Sequence, residues 1–389
     1  MLFYMTAGES HGPQLTGIIN GLPAGLEIDV AQINAALTAR QGGYGRGNRQ
    51  KIEHDQVKIV GGLRHSVTLG SPLALTILNK DFAHWQDNMD PLQPANERNT
   101  LRQVTRPRPG HADLVGGMKY RQRDLRNVLE RSSARETAMR VAIGNICQQL
   151  LAQLDIDIVG YVQQVGNVNA SLEELPPITI MRDLLSQNDL RILDQTKVEE
   201  IHELIDTAKK DGDTVGGVVR VVVENVPAGL GSYTSWDTKL DAKLAGAVMG
   251  VNAIKGVSFG QGFAGSQQLG SQVMDAICYD QNKGWGRLSN HLGGFEGGMT
   301  NGQSLVINAA MKPLPTLYRA LPSVNILTKE VQKANVERSD TTAIVPASIV
   351  VASVVAIELA QIITETFDGS NMTRLKEQVA AYRQELQEY

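Results

Sequence analysis

The sequence predicts an α+β protein: helices sandwiched between two antiparallel sheets, with two similar halves about a pseudo-twofold axis. Three observations carry this. Short β-branched or apolar runs bounded by turn residues, such as 217–224 and 304–310, cluster and do not alternate strictly with helices, which argues against a doubly wound parallel sheet. The helical patterns at 138–154 and 343–363 are apolar over a broad stripe and on every face, respectively, as helices buried between layers would be. Finally, Gly21-Leu22-Pro23-Ala24-Gly25-Leu26 is echoed by Asn225-Val226-Pro227-Ala228-Gly229-Leu230.

The echo continues in order. A helical pattern with aspartate near its start follows each copy, at 29–40 and at 237–249. Weakly alternating stretches punctuated by glycine come next, 57–78 and 257–279. Each half then reaches a His-and-Gly stretch, 111–117 or 291–298, and closes on a long helix, about 124–154 or about 340–367. We therefore expect one domain over 1–389, with halves at about 1–160 and 215–370. The segment at about 165–212 reads as a peripheral insertion, whose helix 197–210 carries Glu and Lys at helical spacing. The competing explanation of the echo is chance similarity of glycine-rich loops.

Composition narrows the function. The chain has 389 residues, a net charge of −4 and 42% hydrophobic residues. Such mild acidity argues against a general nucleic-acid or membrane-surface binder, which needs a broad positive field. Cys147 and Cys278 form neither a disulfide framework nor a metal site, and fit a reduced cytoplasm. Met1-Leu2-Phe3-Tyr4-Met5 lacks the basic start of a signal peptide. The run 343–363 is long enough to span a bilayer, but it contains Pro346, Ser348, Ser353, Glu358 and Gln361 and lacks a flanking basic cluster. A buried core helix explains it better, so no membrane partner is expected.

Cationic residues are nonetheless concentrated. From 98 to 140 there are ten Arg and one Lys against four acids. Arginine binds carboxylate and phosphate through a planar fork and stays charged at physiological pH. Arg108 sits between prolines and Arg135 in a helical turn, so both are candidates for rigid anion ligands; a solvated, salt-bridged surface is the alternative. Gly42, Gly43, Gly45 and Gly47 surround Tyr44 and Arg46, a pattern that fits neither helix nor ordinary strand. With Arg40 and Arg49 on either side, it reads as an anion lid. His11 and His111 lie beside glycine near these arginines, and histidine is suited to proton exchange near neutrality. Ser132 and Ser133 are placed in the early turns of a helix, where they would either favour a phosphate or cap the helix. Lys312 adds a cation on a stiff Pro-containing segment. Neither a dinucleotide fingerprint nor a phosphate-binding P-loop is present, and no metal-site spacing is found.

These motifs together resemble the chorismate synthase family. The resemblance is carried, in family order, by Gly8-Glu9-Ser10-His11-Gly12, 40–47, 106–113, 131–137, 293–298 and Arg338-Ser339-Asp340. It implies conversion of 5-enolpyruvylshikimate 3-phosphate to chorismate and phosphate by an anti-1,4-elimination that needs reduced FMN without net redox change. It also implies the family's sandwich fold and a homotetramer built as a dimer of dimers. By the same resemblance His11 stabilises or protonates the reduced flavin, His111 lies near the leaving phosphate, and Asp340 takes part in removing the substrate proton. Ser10, Arg40, Arg46, Arg49, Arg108 and Arg135 fit the substrate's anionic groups. FMN contacts fall on Arg131, Ser132, Ser133, Asn252, Ala253, Gly297, Lys312, Pro313, Leu314, Pro315, Thr316 and Arg338. Family descriptions also assign Arg40 and Arg46 to NADPH, which reduces the flavin in some members while others use an external reductant.

Overall fold

The computed structural model describes residues 1–47, 54–93, 102–281, 284–337 and 339–389. Its first sheet has four antiparallel strands in the spatial order Phe3–Ala7, Gln14–Asn20, Leu73–Leu78, Val57–Gly61. Leu15 lies opposite Ile77, and Ile19 opposite Leu73, so period-2 alternation puts these four on one buried face while Ile18 and Leu78 face outward. The second sheet runs Ile254–Phe259, Leu305–Met311, Gly217–Glu224, Asp157–Val165, with the short Val168–Asn169 at the edge, again antiparallel.

Helices join the sheets. Thr137–Ala152 packs on Gln14–Asn20 and Leu73–Leu78, where Gly17 is needed because a Cβ would overlap the Met139 side chain. Ile344–Thr366 packs on Asp157–Val165 and Gly217–Glu224, where a Cβ on Gly160 would run into the Ser348 carbonyl. The two helices also pack on each other and share one hydrophobic core with both sheets. Ile344–Thr366 is long and apolar enough to cross a bilayer, yet most of it is buried within the protein.

Three expectations change. The helix expected at 124–154 is two helices, Arg126–Ser132 and Thr137–Ala152, because Ser133 adopts an extended backbone and accepts a hydrogen bond from the Arg135 amide. A serine hydroxyl that bonds nearby backbone competes with helix continuation. Ser132 and Ser133 thus stand at a helix end, not in its early turns. The strand Asp157–Val165 pairs with Gly217–Glu224, so a boundary near 160 falls inside the second sheet. The 165–212 segment lies, in the chain, between that sheet's first two long strands.

Candidate active site

The turn between the first two strands carries Ser10 and His11 against the helix Arg126–Ser132. The Ser10 amide donates to the Glu130 carbonyl (3.0 Å), and the His11 amide to Glu130 Oε2 (2.8 Å). His11 Nδ1 lies 2.9 and 3.0 Å from the two carboxylate oxygens, and Arg126 Nη1, one helical turn back, donates to Oε1 at 3.1 Å. Burial opposes ionisation of Glu130, but the hydrogen bonds and charge of His11, with Arg126 behind them, outweigh it and lower its pKa. An ionised Glu130 makes Nδ1 the proton-bearing nitrogen, and leaves Nε2 without a protein partner among the described residues. The His11 ring stacks on Trp85 at 3.9 Å, and Trp85 also carries the Arg102 guanidinium 3.9 Å over its ring.

An arginine wall adjoins this turn. Asn79 Nδ2 donates to the Gly12 carbonyl (2.7 Å), and its Oδ1 accepts from Arg135 Nε and Nη2 (3.0 and 2.8 Å). Arg135 Nη1 donates to Asp55 at 2.5 Å. Arg40, at the end of helix Val30–Gln41, donates to the Ala134 carbonyl (2.8 Å) and to Thr137 Oγ1 (3.0 Å), but is 3.9 Å from Asp55. Burial pushes Arg40 down to about 9; Asp55 opposes this, while the charges of Arg135 and Arg46 add to it. A buried guanidinium held this way gains from any anion brought beside it. Ser133 Oγ reaches Ser10 Oγ at 3.3 Å, which brings both serines into the same cluster.

A second imidazole has similar support. His111 Nδ1 is 2.6 Å from Asp113 Oδ1, and Arg108 donates to the same carboxylate through Nε (2.9 Å) and Nη2 (3.1 Å). Burial would raise the Asp113 pKa, but the bonds from His111 and Arg108 lower it well below the ordinary carboxylate range. Arg108 Nη1 donates to Thr316 Oγ1 at 2.7 Å, which ties the 312–316 segment to the cluster. The Lys312 amide donates to the Ala253 carbonyl (3.0 Å), and Asn252 Nδ2 to the Ser132 carbonyl (3.1 Å). Asn252 Oδ1 is buried without a partner among the described residues. Burial and the neighbouring Lys255 lower the Lys312 pKa.

The glycine loop supplies a third group. Arg46 Nη1 and the Gly47 amide both donate to Asp340, at 2.6 Å each, and the Arg46 Nε is buried without a partner among the described residues. Burial lowers the Arg46 pKa against the pull of Asp340. Hydrogen bonds lead from the His11 cluster to the backbone two residues before Arg108: Arg126 Nη2 to Glu337 (2.9 Å), Asn335 Nδ2 to the same Glu337 oxygen (2.8 Å), and the Asn335 amide to the Arg106 carbonyl (3.2 Å).

The structure therefore links Ser10, His11, Arg40, Ser133 and Arg135 through hydrogen bonds and shared partners, Arg108 with His111 and Thr316, and Arg46 with Asp340. Arg49 and Arg338 lie outside the described residues. Arg131 bonds to the Thr6 and Gly8 carbonyls, and Ser132 Oγ back-bonds to the Val128 carbonyl. Gly297 occupies the turn of hairpin Phe295–Thr300, where its nearest side chains are Tyr233 and Met299. Sequence reading missed Glu130, Arg126, Asp55, Asn79, Trp85 and Glu337. Only the i,i+4 spacing of Arg126 and Glu130 was a local signal; the others become visible through tertiary contacts alone.

Residues 2–364 match the family model described as chorismate synthase. The chain belongs to the chorismate synthase family. It is 68% identical to the chorismate synthase of Lactiplantibacillus plantarum and 65% identical to that of Limosilactobacillus fermentum, each over the whole of both chains. It is 55% identical to that of Enterococcus faecalis over 98% of both. A crystal structure of chorismate synthase superposes with a TM-score of 0.81 at 37% identity, covering 100% of this chain and 99% of that one. Family membership at this identity makes the chain a carbon–oxygen lyase with chorismate synthase activity.

Proposed function

We propose that these clusters bind 5-enolpyruvylshikimate 3-phosphate and reduced FMN together, and that the chain removes phosphate by anti-1,4-elimination. The observation that carries this is Arg40, buried and insufficiently compensated beside Arg135 and Arg46, in an assembly that also holds two carboxylate-buttressed imidazoles. A substrate with two carboxylates and a phosphate supplies the missing negative charge. Ser10, Arg40, Arg46, Arg49, Arg108 and Arg135 bind and orient those groups. His111, bonded through Nδ1 to Asp113, offers Nε2 to the departing phosphate. Asp340 takes up the substrate proton once substrate anions compete for Arg46.

The residues present fit FMN. Lys312 faces no carboxylate within ion-pair reach among the described residues, and suits the flavin phosphate; the unpartnered Asn252 Oδ1 beside Ser132 suits a ring N–H donor. With Ser132, Ser133, Ala253, Gly297, Pro313, Leu314, Pro315, Thr316, Arg131 and Arg338 they would hold it. Bound reduced FMN supplies transient electron density to the allylic system, and the protein's part is to position it and exclude water. His11 would hold a proton on the flavin side through Nε2. Arg40 and Arg46 are read as substrate ligands; NADPH enters only as a source of reducing power.

We read the protein as a cytoplasmic homotetramer, a single domain whose halves are pseudo-twofold related. Supporting the last point, both sheets place their first four long strands in the order first, second, fourth, third. The decisive assay is anaerobic turnover followed by chorismate formation, with dithionite-reduced against oxidised FMN. Equal rates in both would refute the flavin requirement; a parallel run with NADPH and FMN alone tests self-reduction.

A further inference from the structure

Away from these clusters, a cleft of about 350 Å³ opens where strand Asp157–Val165 and helix Ile178–Ser186 meet the helices Val30–Gln41, Thr137–Ala152 and Ile344–Thr366. Ile158, Leu185, Ile349 and Ala352 form an apolar patch in its wall, and Gln148, Ser186 and Ser353 add polar surface. Arg191 also lines it. Its Nη2 donates to the Gly160 carbonyl at 2.7 Å, but its Nε is enclosed and has no hydrogen-bond partner. The other arginine of the cleft, Arg182, is neutralised by both oxygens of Asp157; Arg191 has no carboxylate partner among the described residues. Burial pushes Arg191 down to about 10.

The backbone adds an independent sign. Arg191 has φ +53°, the left-handed region that non-glycine residues avoid, and its carbonyl is held there by the Val162 amide at 2.9 Å. Strained backbone that delivers an uncompensated buried cation to a concave apolar surface is a combination typical of ligand sites.

We propose that this cleft is a second binding site, for a small organic monocarboxylate. The carboxylate pairs with Arg191, and Gln148, whose Nε2 has no protein partner among the described residues, is the second donor. The hydrocarbon body lies against Ile158, Leu185, Ile349 and Ala352. A single uncompensated cation beside an apolar patch favours such a monoanion over a phosphate, whose second charge would lack a cationic partner.

Calorimetric titration of the full-length protein with 3-phenylpropionate tests this, with 3-phenylpropionamide and inorganic phosphate as the neutral and bare-anion arms. Saturable binding of the carboxylate is expected, with the other two at least 10-fold weaker. Arg191→Gln should weaken it about 10- to 100-fold, the range for loss of a charge-assisted hydrogen bond, while turnover is kept. Ser186→Trp, at an exposed position on the cleft rim, should block binding without touching the core, and it carries the test if the Arg191 variant fails to fold. Absence of binding at millimolar probe, equal affinity for the amide or for phosphate, or binding that survives both substitutions overturns the proposal; the last outcome places the probe at the arginine clusters.

Discussion

His11 and His111 share one construction and differ in what surrounds it. In each, Nδ1 meets a carboxylate that is fully buried and also bound by an arginine: Glu130 with Arg126, Asp113 with Arg108. Each carboxylate is held ionised against the cost of burial. The His11 ring, however, is clamped flat against Trp85 and its amide is bonded to Glu130, so it cannot turn. The His111 ring sits in the loop before helix Asp113–Lys119 with Arg108 Nη2 at 3.0 Å from Nδ1 and 3.3 Å from Nε2, and no aromatic ring stacks on it among the described residues. The same carboxylate–imidazole device is therefore rigid at one site and adjustable at the other. Rigidity suits a group that tunes a bound cofactor, whereas adjustability suits one that follows a departing anion.

Single substitutions can break that distinction. His111→Ala should cut turnover about 10- to 1,000-fold with FMN affinity nearly kept. His11→Ala should lower affinity for reduced FMN as well, read by anaerobic titration. If both variants show the same pattern in turnover and in flavin affinity, the two histidines do not divide the work. Asp340→Asn comes next: turnover should fall about 10- to 100-fold, with the folded state intact by circular dichroism. Asp340 does not cap the following helix, since its N-cap is Ala343 and the Ile344 amide bonds to Thr342 Oγ1, so unfolding of this variant would contradict its assignment to chemistry.

Legibility in the sequence follows the range of the forces involved. The strand 217–224 and the helix ending at Arg40 are local patterns of hydrophobicity and capping, with Asp29 as the N-cap, and they stand where the sequence predicts. The motif arginines and histidines were visible because glycine and proline set them apart. Their acidic counterparts were not. Asp55 is 80 residues from Arg135, and Glu130 is 119 from His11; an aspartate or glutamate in an ordinary polar context carries no mark of a distant partner. The break at Ser133 was hidden for a related reason, since apolar periodicity runs on through it and only the Ser10–Ser133 contact reveals why the backbone turns out there. Tyr44 is another case: the glycines around it read as a mobile lid, yet its hydroxyl donates to Asp206 at 2.9 Å and its ring packs on His202, so the described part of that loop is anchored to the 165–212 segment.

The smaller effects sharpen the comparison through the carboxylates. Asp113→Asn leaves the buried Arg108 without its carboxylate, at a cost of about 3–5 kcal/mol measured by urea denaturation, while Glu130→Gln costs less because Arg126 keeps Glu337. Because the lone amide that replaces each carboxylate can present its oxygen to Nδ1–H, the imidazole tautomer can survive, and residual turnover in a folded variant reports how much orientation alone contributes. The pH dependence has a definite sign. Asp113 and Glu130 have folded pKa values below those of the unfolded chain. Their stabilisation is therefore complete above the unfolded carboxylate range, about pH 4, and is lost as pH falls through the lower folded values. Acid unfolding of the wild type should steepen below about pH 4, and Asp113→Asn should flatten that slope more than Glu130→Gln, because the Asp113 shift is the larger. Equal slopes in the two variants would mean that the adjustable histidine gains its freedom elsewhere than from the Asp113–Arg108 pair.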